Sequence, residues 1–156
     1  PMRLWLWIVF AGWLGLAGGL PAQAQPTRMA QANSPRHALP DNDPEVATIY
    51  RGVLGEQRVQ MVLSADEEQP GTFEGDYFVF GGGRNILVAG EIDAESFYLE
   101  ETEDGEHVSG SWDGKLVIEE NRAYIVGTWR NGDETVALPF KLERVLRARA
   151  YLKRST

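Results

Sequence analysis

The sequence predicts an all-β fold, an eight-stranded antiparallel up-and-down barrel. From residue 46 onward, apolar and polar residues alternate with a period of two in short runs, and turn residues separate these runs. No segment before residue 144 repeats with a helical period. Eight short sequential strands can close on themselves, and closure removes the edges that would otherwise invite aggregation. A two-sheet β-sandwich is the alternative, because the same pattern permits it.

The first 24 residues predict a cleaved signal peptide. Met2 and Arg3 give a short basic start, residues 4–20 form an apolar run, and residues 22–24 supply a small-x-small cleavage pattern. The run approaches the length of a membrane span, but glycines interrupt it and a proline follows it. We therefore expect cleavage after Ala24, a secreted protein in the periplasm or outside the cell, and no stable membrane insertion.

Three segments are expected after the signal. Residues 25–44 hold four prolines and no aromatic residue, so they cannot bury enough surface to offset their ordering entropy and predict a flexible leader. The β-barrel domain is expected over residues 45–143, which suits a single core. Residues 144–156 form a basic C-terminal tail.

The chain is acidic, with a formal net charge of −8. Removal of the signal takes Arg3 with it and leaves 14 basic against 23 acidic residues, which opposes nucleic acid as a partner. The chain contains no cysteine, so we expect no disulfide framework, thiol nucleophile, thiolate metal site or cysteine-linked lipid. A monomer is expected.

The first four predicted strands each have one apolar face. A turn near Gly55, a loop over residues 66–71 and a glycine turn at residues 81–83 separate them. Their same-face positions are Tyr50, Gly52 and Leu54; Val59, Met61 and Leu63; Phe73, Gly75, Tyr77 and Val79; and Ile86, Val88, Gly90 and Ile92.

The fifth strand is predicted near residues 96–102, and residues 103–105 turn the chain into the sixth. We interpret Asp113-Gly114 as a bulge within one long sixth strand that continues to Ile118. The alternative, a hairpin at Asp113-Gly114, would give nine strands.

The seventh strand is predicted over residues 123–130 and the eighth over residues 135–142. Between them, Asn131-Gly132 is the strongest hairpin signal in the chain, because both positions tolerate positive φ. Trp129 shares a strand face with Ile125, and we expect it to be a buried core residue.

A glycine followed two residues later by an aromatic residue recurs in three of these strands, as Gly75-x-Tyr77, Gly110-x-Trp112 and Gly127-x-Trp129. Such a glycine lets a strand bend and receive a neighbouring ring over its backbone. Aromatic residues in small barrels usually fill the core. The functional alternative makes Tyr77, Trp112 and Trp129 the candidate ligand-binding residues, lining a cup for one small apolar or ring-shaped molecule.

Five motifs within residues 46–143 share a layout: Tyr50-x-Gly52-x-x-Gly55, Gly75-x-Tyr77, Val88-Ala89-Gly90, Gly127-Thr128-Trp129 and Leu138-Pro139-Phe140. This layout resembles that of small exported bacterial β-barrel domains, which are largely uncharacterised. The resemblance implies the fold and the compartment, and it implies no activity. A looser similarity, through the Gly-x-Trp motif, is to avidin-like and lipocalin-like barrels, which bind small ligands. Lipocalins carry that motif on the first strand, whereas the last copy here lies on the seventh.

The sequence contains no catalytic or cofactor motif, so we predict a protein that is not an enzyme and has neither cofactor nor metal. Glu100 and Glu101 are adjacent and face opposite sides of a strand, so they form no carboxylate dyad and are interpreted as solvated. His107 is interpreted as a surface histidine. The acidic loops at residues 66–68 and 103–106 lack the ligand spacing of a calcium loop.

Two functions stay open for an exported, non-enzymatic binding module. The first is binding of a small apolar or ring-shaped ligand in the barrel interior or mouth. The alternative is a protein-interaction or inhibitor domain that uses an outer face or a loop to hold an exported partner. A cavity walled by Trp112 and Trp129 would favour the first, and a filled interior with Phe78, Phe80 or Tyr98 exposed would favour the second.

Overall fold

The computed structural model describes residues 35–149, so the predicted signal, residues 25–34 and residues 150–156 lie outside the described range. A 3-10 helix, Pro35–Ala38, precedes eight strands. These are β1 (Val46–Leu54), β2 (Gln57–Ala65), β3 (Thr72–Val79), β4 (Ile86–Ile92), β5 (Phe97–Thr102), β6 (Val108–Glu119), β7 (Arg122–Asn131) and β8 (Ala137–Arg149). No helix within this range is long and apolar enough to cross a membrane.

The eight strands form one closed antiparallel barrel. Each strand pairs with the next along the chain, and β8 pairs with β1 to close the sheet. The closing ladder aligns Leu54 with Phe140 and Gly52 with Leu142. The prediction of an eight-stranded antiparallel barrel is therefore confirmed, and the two-sheet sandwich is wrong.

Alternation along the strands decides which side chains fill the barrel. Every second residue points inward, and complete burial of a large apolar side chain contributes about 1.5–3 kcal/mol. The largest fully buried side chains are Trp112, Tyr50, Phe73, Phe97, Met61, Leu63, Leu99, Ile125, Leu142, Val59 and Thr48.

Strand β6 runs through Asp113-Gly114 without interruption, as the eight-strand interpretation requires. Its register with both β5 and β7 is unbroken there, so the bulge predicted at Asp113-Gly114 is wrong. Asp113 and Gly114 each pair with one residue of β5 and one residue of β7.

The irregularity of β6 lies at Ser109 instead. Glu101 of β5 pairs with Gly110 of β6. The next residue, Thr102, pairs with Val108, which leaves Ser109 as an extra residue. The Ser109 hydroxyl donates a hydrogen bond of 3.3 Å to the Glu101 carbonyl, and this contact supports the bulge.

The hairpin between β7 and β8 forms where it is predicted, but with a longer turn. Positive φ occurs at Glu134, with φ of 57°, rather than at Asn131 or Gly132. The Asn131 side chain explains the difference, because it accepts the Val136 amide at 2.7 Å and donates to Thr135 at 2.9 Å. These bonds stabilise a turn of five residues instead of two.

The two ends of the barrel differ. The upper end carries the connections β1–β2, β3–β4, β5–β6 and β7–β8, and the lower end carries the other three. The 3-10 helix contacts β6, β7 and β8 and lies at the lower end, where β1 begins. Residues 35–44, predicted as part of a flexible leader, therefore cover the lower end instead.

Hydrogen bonds hold this cover in place. The Ala38 carbonyl is buried and accepts a bond of 2.6 Å from the Tyr50 hydroxyl. One nitrogen of Arg144, Nη1, donates to the carbonyls of His37 at 3.1 Å and Leu39 at 2.7 Å. The proline content of the leader limits regular structure, but it does not prevent Ala38 and Leu39 from packing against the core at this end of the barrel.

Strand β8 also differs from its predicted limit. The barrel was expected to end at residue 143, whereas β8 continues to Arg149. Strand β1 begins at Val46 and supplies ladder partners down to Arg149. Residues 144–149 are rich in basic residues, and the sequence therefore does not predict a strand there. Pairing with β1, and not apolar alternation, extends β8 through them.

We expect Gly127→Ala to destabilise the barrel by about 3 kcal/mol or more. A Cβ at Gly127 would collide with the Asp113 carbonyl of the neighbouring strand, which cannot move without breaking the ladder. Urea unfolding of the purified protein measures the loss. The control is Gly81→Ala, which meets no atom within 4 Å but has φ of 86° and should cost about 1–2 kcal/mol. Equal losses in both variants would contradict close strand approach at Gly127.

Candidate functional site

The three candidate ligand-binding residues converge on one atom, Oε2 of Glu101. The hydroxyl of Tyr77 donates to it at 2.7 Å, Nε1 of Trp112 at 2.9 Å and Nε1 of Trp129 at 3.0 Å. We call these four residues the Glu101 cluster. The structure thus brings the predicted residues together, but around a carboxylate of the protein itself.

Strand register places the Glu101 cluster near the upper end of the barrel. Glu101 pairs with Gly110, and Gly110 pairs with Asn131, the last residue of β7. Tyr77 and Trp129 each lie two residues before the end of their strands. The period-two alternation of β3, β5, β6 and β7 turns all four side chains of the cluster inward.

Trp112 fills the centre of the barrel. It is fully buried, and its ring packs edge-on against Tyr77 with centroids 4.9 Å apart. Its ring also lies 5.0 Å from that of Phe140, which in turn lies 5.9 Å from that of Phe97. Aromatic pairs of this kind contribute about 0.5–1.5 kcal/mol beyond their buried area. Trp112 is therefore a core residue and not the wall of a cavity.

Trp129 packs against the core as expected, but it is half-buried instead of buried. One part of its ring packs against the core beside Leu138, which is also half-buried. The cause is its position two residues from the end of β7, where the barrel begins to open to solvent. Of the three predicted residues, Trp129 is thus the one with an exposed surface.

Within the part of the chain that the structure describes, Glu101 is a buried acid without a cationic partner. Its exposed fraction is 3%, and none of the ion pairs within residues 35–149 includes it. Removing an unpaired charge from water costs several kcal/mol, whereas hydrogen bonds to a charged group each contribute about 1.5–3 kcal/mol. The three donors therefore offset the burial of this carboxylate.

The donors of the cluster keep their protons. Burial raises the pKa of the Tyr77 hydroxyl well above its ordinary value of 10.0, and the hydrogen bond to Glu101 raises it further. An indole Nε1 is a donor only. Oε2 of Glu101 consequently meets three permanent donors, which fix the orientation of the carboxylate.

Sequence reasoning misses Glu101 and interprets it as solvated, which is wrong. The available signal is the alternation itself, since Glu101 shares a strand face with Phe97 and Leu99, both fully buried. Glutamate is seldom buried, so the residue type predicts an exposed position although the alternation predicts an inward one. Its three partners, which make burial tolerable, come from three other strands, and two of these, β3 and β7, are not neighbours of β5 in the sequence.

A groove of about 870 Å³ lies on the outer face of strands β2 to β6, and we call it the outer groove. Its lining includes two large exposed apolar side chains, Leu87 and Val108, which are 51% and 53% exposed. Five acidic residues also line it: Glu74, Asp76, Glu100 and Glu106, which are at least partly exposed, and Glu101, which is buried. The outer groove therefore combines an apolar surface with negative charge.

The loop between β5 and β6 forms one wall of the outer groove. The Asp104 carboxylate accepts the amides of Glu106 and His107, each at 2.8 Å, and contacts the His107 ring at 2.7 Å. These backbone hydrogen bonds hold the pKa of Asp104 well below its ordinary value. The loop thus has a defined shape, and it presents Glu106 and the exposed His107 to the groove.

Large apolar side chains also occur on other parts of the outer surface. Phe80 and Tyr98 are each 43% exposed. Phe80 packs against Phe78 with ring centroids 5.2 Å apart, and the Arg58 guanidinium lies 5.0 Å from the Phe80 ring centroid. A filled centre with Phe80 and Tyr98 exposed is the arrangement that favours an interaction domain over an interior ligand binder.

No known protein family matches the chain, and no curated protein is similar to it. Within the described range, no group of three or more histidine, aspartate or glutamate residues is arranged to hold a metal ion.

We expect Glu101→Leu to destabilise the barrel more than Glu101→Gln does. Glutamine keeps a carbonyl acceptor for the three donors, whereas leucine leaves Tyr77, Trp112 and Trp129 without one. Each buried donor that loses its acceptor costs about 1–3 kcal/mol. Urea unfolding of both variants measures the difference. Equal stability of the leucine and glutamine variants would show that the hydrogen bonds to Oε2 contribute nothing.

The stability of the barrel at alkaline pH should depend on Tyr77. Its raised pKa favours the neutral form in the folded state, so its contribution is complete below pH 10.0 and is lost as pH rises towards the folded-state value. We expect Tyr77→Phe to lose less stability above pH 10 than the parent does. The control is the same comparison below pH 9, where the difference in stability between the two proteins should not change with pH. Identical pH profiles for the parent and Tyr77→Phe would contradict this assignment.

Proposed function

We propose that the protein is an exported, non-enzymatic interaction domain whose outer groove binds an extended, basic segment of a partner protein. The observation that supports this most is the combination, in one groove, of exposed Leu87 and Val108 with four acidic side chains that are at least partly exposed. Solvated surface patches usually lack contiguous apolar residues of this size, and apolar patches rimmed by polar groups mark interaction sites.

The apolar and the acidic side chains of the outer groove would contribute differently to binding. Covering Leu87 and Val108 removes apolar area from water, at about 25 cal/mol per Å². The acidic residues would accelerate association with a basic segment and exclude acidic ones. An extended chain that alternates basic and apolar residues satisfies both components, because its side chains point alternately to opposite sides.

The closed barrel restricts how such a segment is held. Every strand of the described barrel already pairs on both sides, so the partner cannot add a strand to a free edge. Side chains must therefore provide the contacts, and specificity depends on the groove residues rather than on backbone pairing.

The filled interior disfavours a ligand inside the barrel and therefore favours binding on the outer face. Trp112 is fully buried between Tyr77 and Phe140, so a ring-shaped ligand at the barrel centre would have to displace it. Displacement of a large core aromatic costs about 3–5 kcal/mol, judged from truncations of such residues. The net charge of −8 further favours basic partners.

The proposal predicts saturable binding of a short soluble peptide in which lysine alternates with leucine and serine. Titration calorimetry with the full chain should show binding that weakens as salt is raised. Glu100→Lys should weaken it at least about tenfold, a difference of about 1.4 kcal/mol. Leu87→Ser should also weaken it, because the apolar contact is lost.

Two matched control variants test whether peptide binding depends on the groove residues or on the overall negative charge of the protein. Glu67→Lys makes the same charge change in the loop between β2 and β3, outside the groove, and Ile118→Ser removes an apolar side chain of similar exposure, 42%. Both controls should bind the peptide like the parent. Losses as large in the controls as in the groove variants would overturn the proposal, and so would an equal affinity for a peptide with glutamate in place of lysine.

A further inference from the structure

The chain itself contains a segment of the kind that the outer groove is proposed to bind. Residues 150–156 follow β8 and have the sequence AYLKRST, and we call them the distal tail. The distal tail contains the large apolar residues Tyr151 and Leu152, the basic residues Lys153 and Arg154, and no acidic residue. Its composition therefore complements a groove that combines exposed apolar side chains with negative charge.

The register of the barrel leads from the end of β8 directly into the outer groove. Arg147 of β8 pairs with Thr48 of β1, and Thr48 pairs with Leu63 of β2. Leu63 pairs in turn with Gly75 of β3, which lines the groove. Only β1 and β2 therefore separate the strand that precedes the distal tail from the first groove strand.

The distal tail is long enough to cover this distance. Neighbouring strands lie about 4.8 Å apart, so the three steps from β8 to β3 amount to about 14 Å along the sheet. Arg149, the last residue of β8, lies two residues beyond Arg147, a further distance of about 7 Å along the strand. Seven extended residues reach about 23–25 Å, which is enough to cross β1 and β2 and enter the groove.

The acidic side chains of the groove have no cation on the described part of the barrel. The ion pairs within residues 35–149 include neither Glu74 nor Asp76, and neither Glu100 nor Glu106. A segment attached to the same barrel is present at a high effective concentration, of the order of millimolar for a short linker, so even weak contacts keep it bound. Contacts with Lys153 and Arg154 would supply the missing positive charge.

We propose that the distal tail occupies the outer groove of its own barrel. Lys153 and Arg154 lie beside the acidic residues, and Tyr151 and Leu152 cover part of the apolar surface. This inference rests on the proposed function, because it assigns to the same groove a tethered competitor that a basic partner segment must displace. The distal tail thus limits access to the groove to partners that bind it more tightly.

A nitroxide label on the distal tail tests its position. The chain contains no cysteine, so Ser155→Cys provides a single attachment site in the full chain. The nitroxide broadens the NMR signals of nearby amides. We expect strong broadening at Ala89 and Glu100, which pair with each other in the groove. Absence of broadening at both amides would overturn the proposal.

Charge variants of the labelled protein separate binding from mere proximity. Lys153→Glu combined with Arg154→Glu should remove most of the broadening at Ala89 and Glu100, and so should Glu74→Lys in the groove. The matched control is Glu56→Lys, which makes the same charge change at an exposed position in the turn between β1 and β2, outside the groove. Broadening that is equal in all these variants would contradict binding in the groove.

A mixed sample distinguishes the chain's own groove from that of a second copy. It combines isotope-labelled chains that lack the nitroxide with nitroxide-labelled chains that lack the isotope. No broadening is expected in this sample, because each distal tail should occupy its own barrel. Broadening as strong as in the doubly labelled protein would assign the distal tail to a second copy and overturn the proposal.

Peptide titration distinguishes failure of this inference from failure of the proposed function. Removal of a tethered competitor should increase the affinity for the lysine-containing peptide at least about threefold in Lys153→Glu combined with Arg154→Glu. Arg51→Glu combined with Arg58→Glu makes the same charge change at exposed positions outside the groove and should leave the affinity unchanged. Equal affinities in the parent and the tail variant would refute this inference alone. Absence of peptide binding in every variant, with the broadening intact, would refute the proposed function alone.

Discussion

Pairing of β8 with β1 is the constraint on which the rest of this structure depends. Closure forces the inward side chains of all eight strands to share one interior, and Trp112 with its aromatic neighbours fills the centre of it. Closure also removes free sheet edges, so no strand of the described barrel offers an edge for pairing with another chain. The glycines that approach a neighbouring strand, such as Gly127, permit the bending that closure requires.

The Glu101 cluster connects parts of the barrel that are distant along the chain. Tyr77 and Trp129 are 24 and 28 residues from Glu101 in the sequence, yet both donate to the same oxygen. A buried polar network of this kind stabilises one arrangement of the side chains around it, because any other arrangement leaves donors unsatisfied. The same network holds Oε1 of Glu101 against Gly110, where a Cβ would lie only 2.8 Å from this oxygen.

Period-two alternation and turn residues predict the strands, their order and most of the core, because both are local properties of the sequence. The position of the bulge and the turn at Glu134 depend on side-chain hydrogen bonds from Ser109 and Asn131, which no periodicity reveals. Tyr77, Trp112 and Trp129 could be selected as a group from their repeated spacing. Glu101, which joins them, could not, since its burial is tolerable only when partners from three other strands surround it.

The proposed recognition on the outer surface depends on a filled core, and hydrogen exchange of the Trp112 indole N–H tests this core most directly. In a filled barrel, this proton exchanges only when the whole domain unfolds, so the free energy derived from its exchange should equal the global free energy of unfolding from urea. The Trp129 indole, near the upper end, should exchange sooner through local opening. Exchange of the Trp112 indole at the rate of an exposed tryptophan would contradict the account, because it would show that water reaches the centre of the barrel.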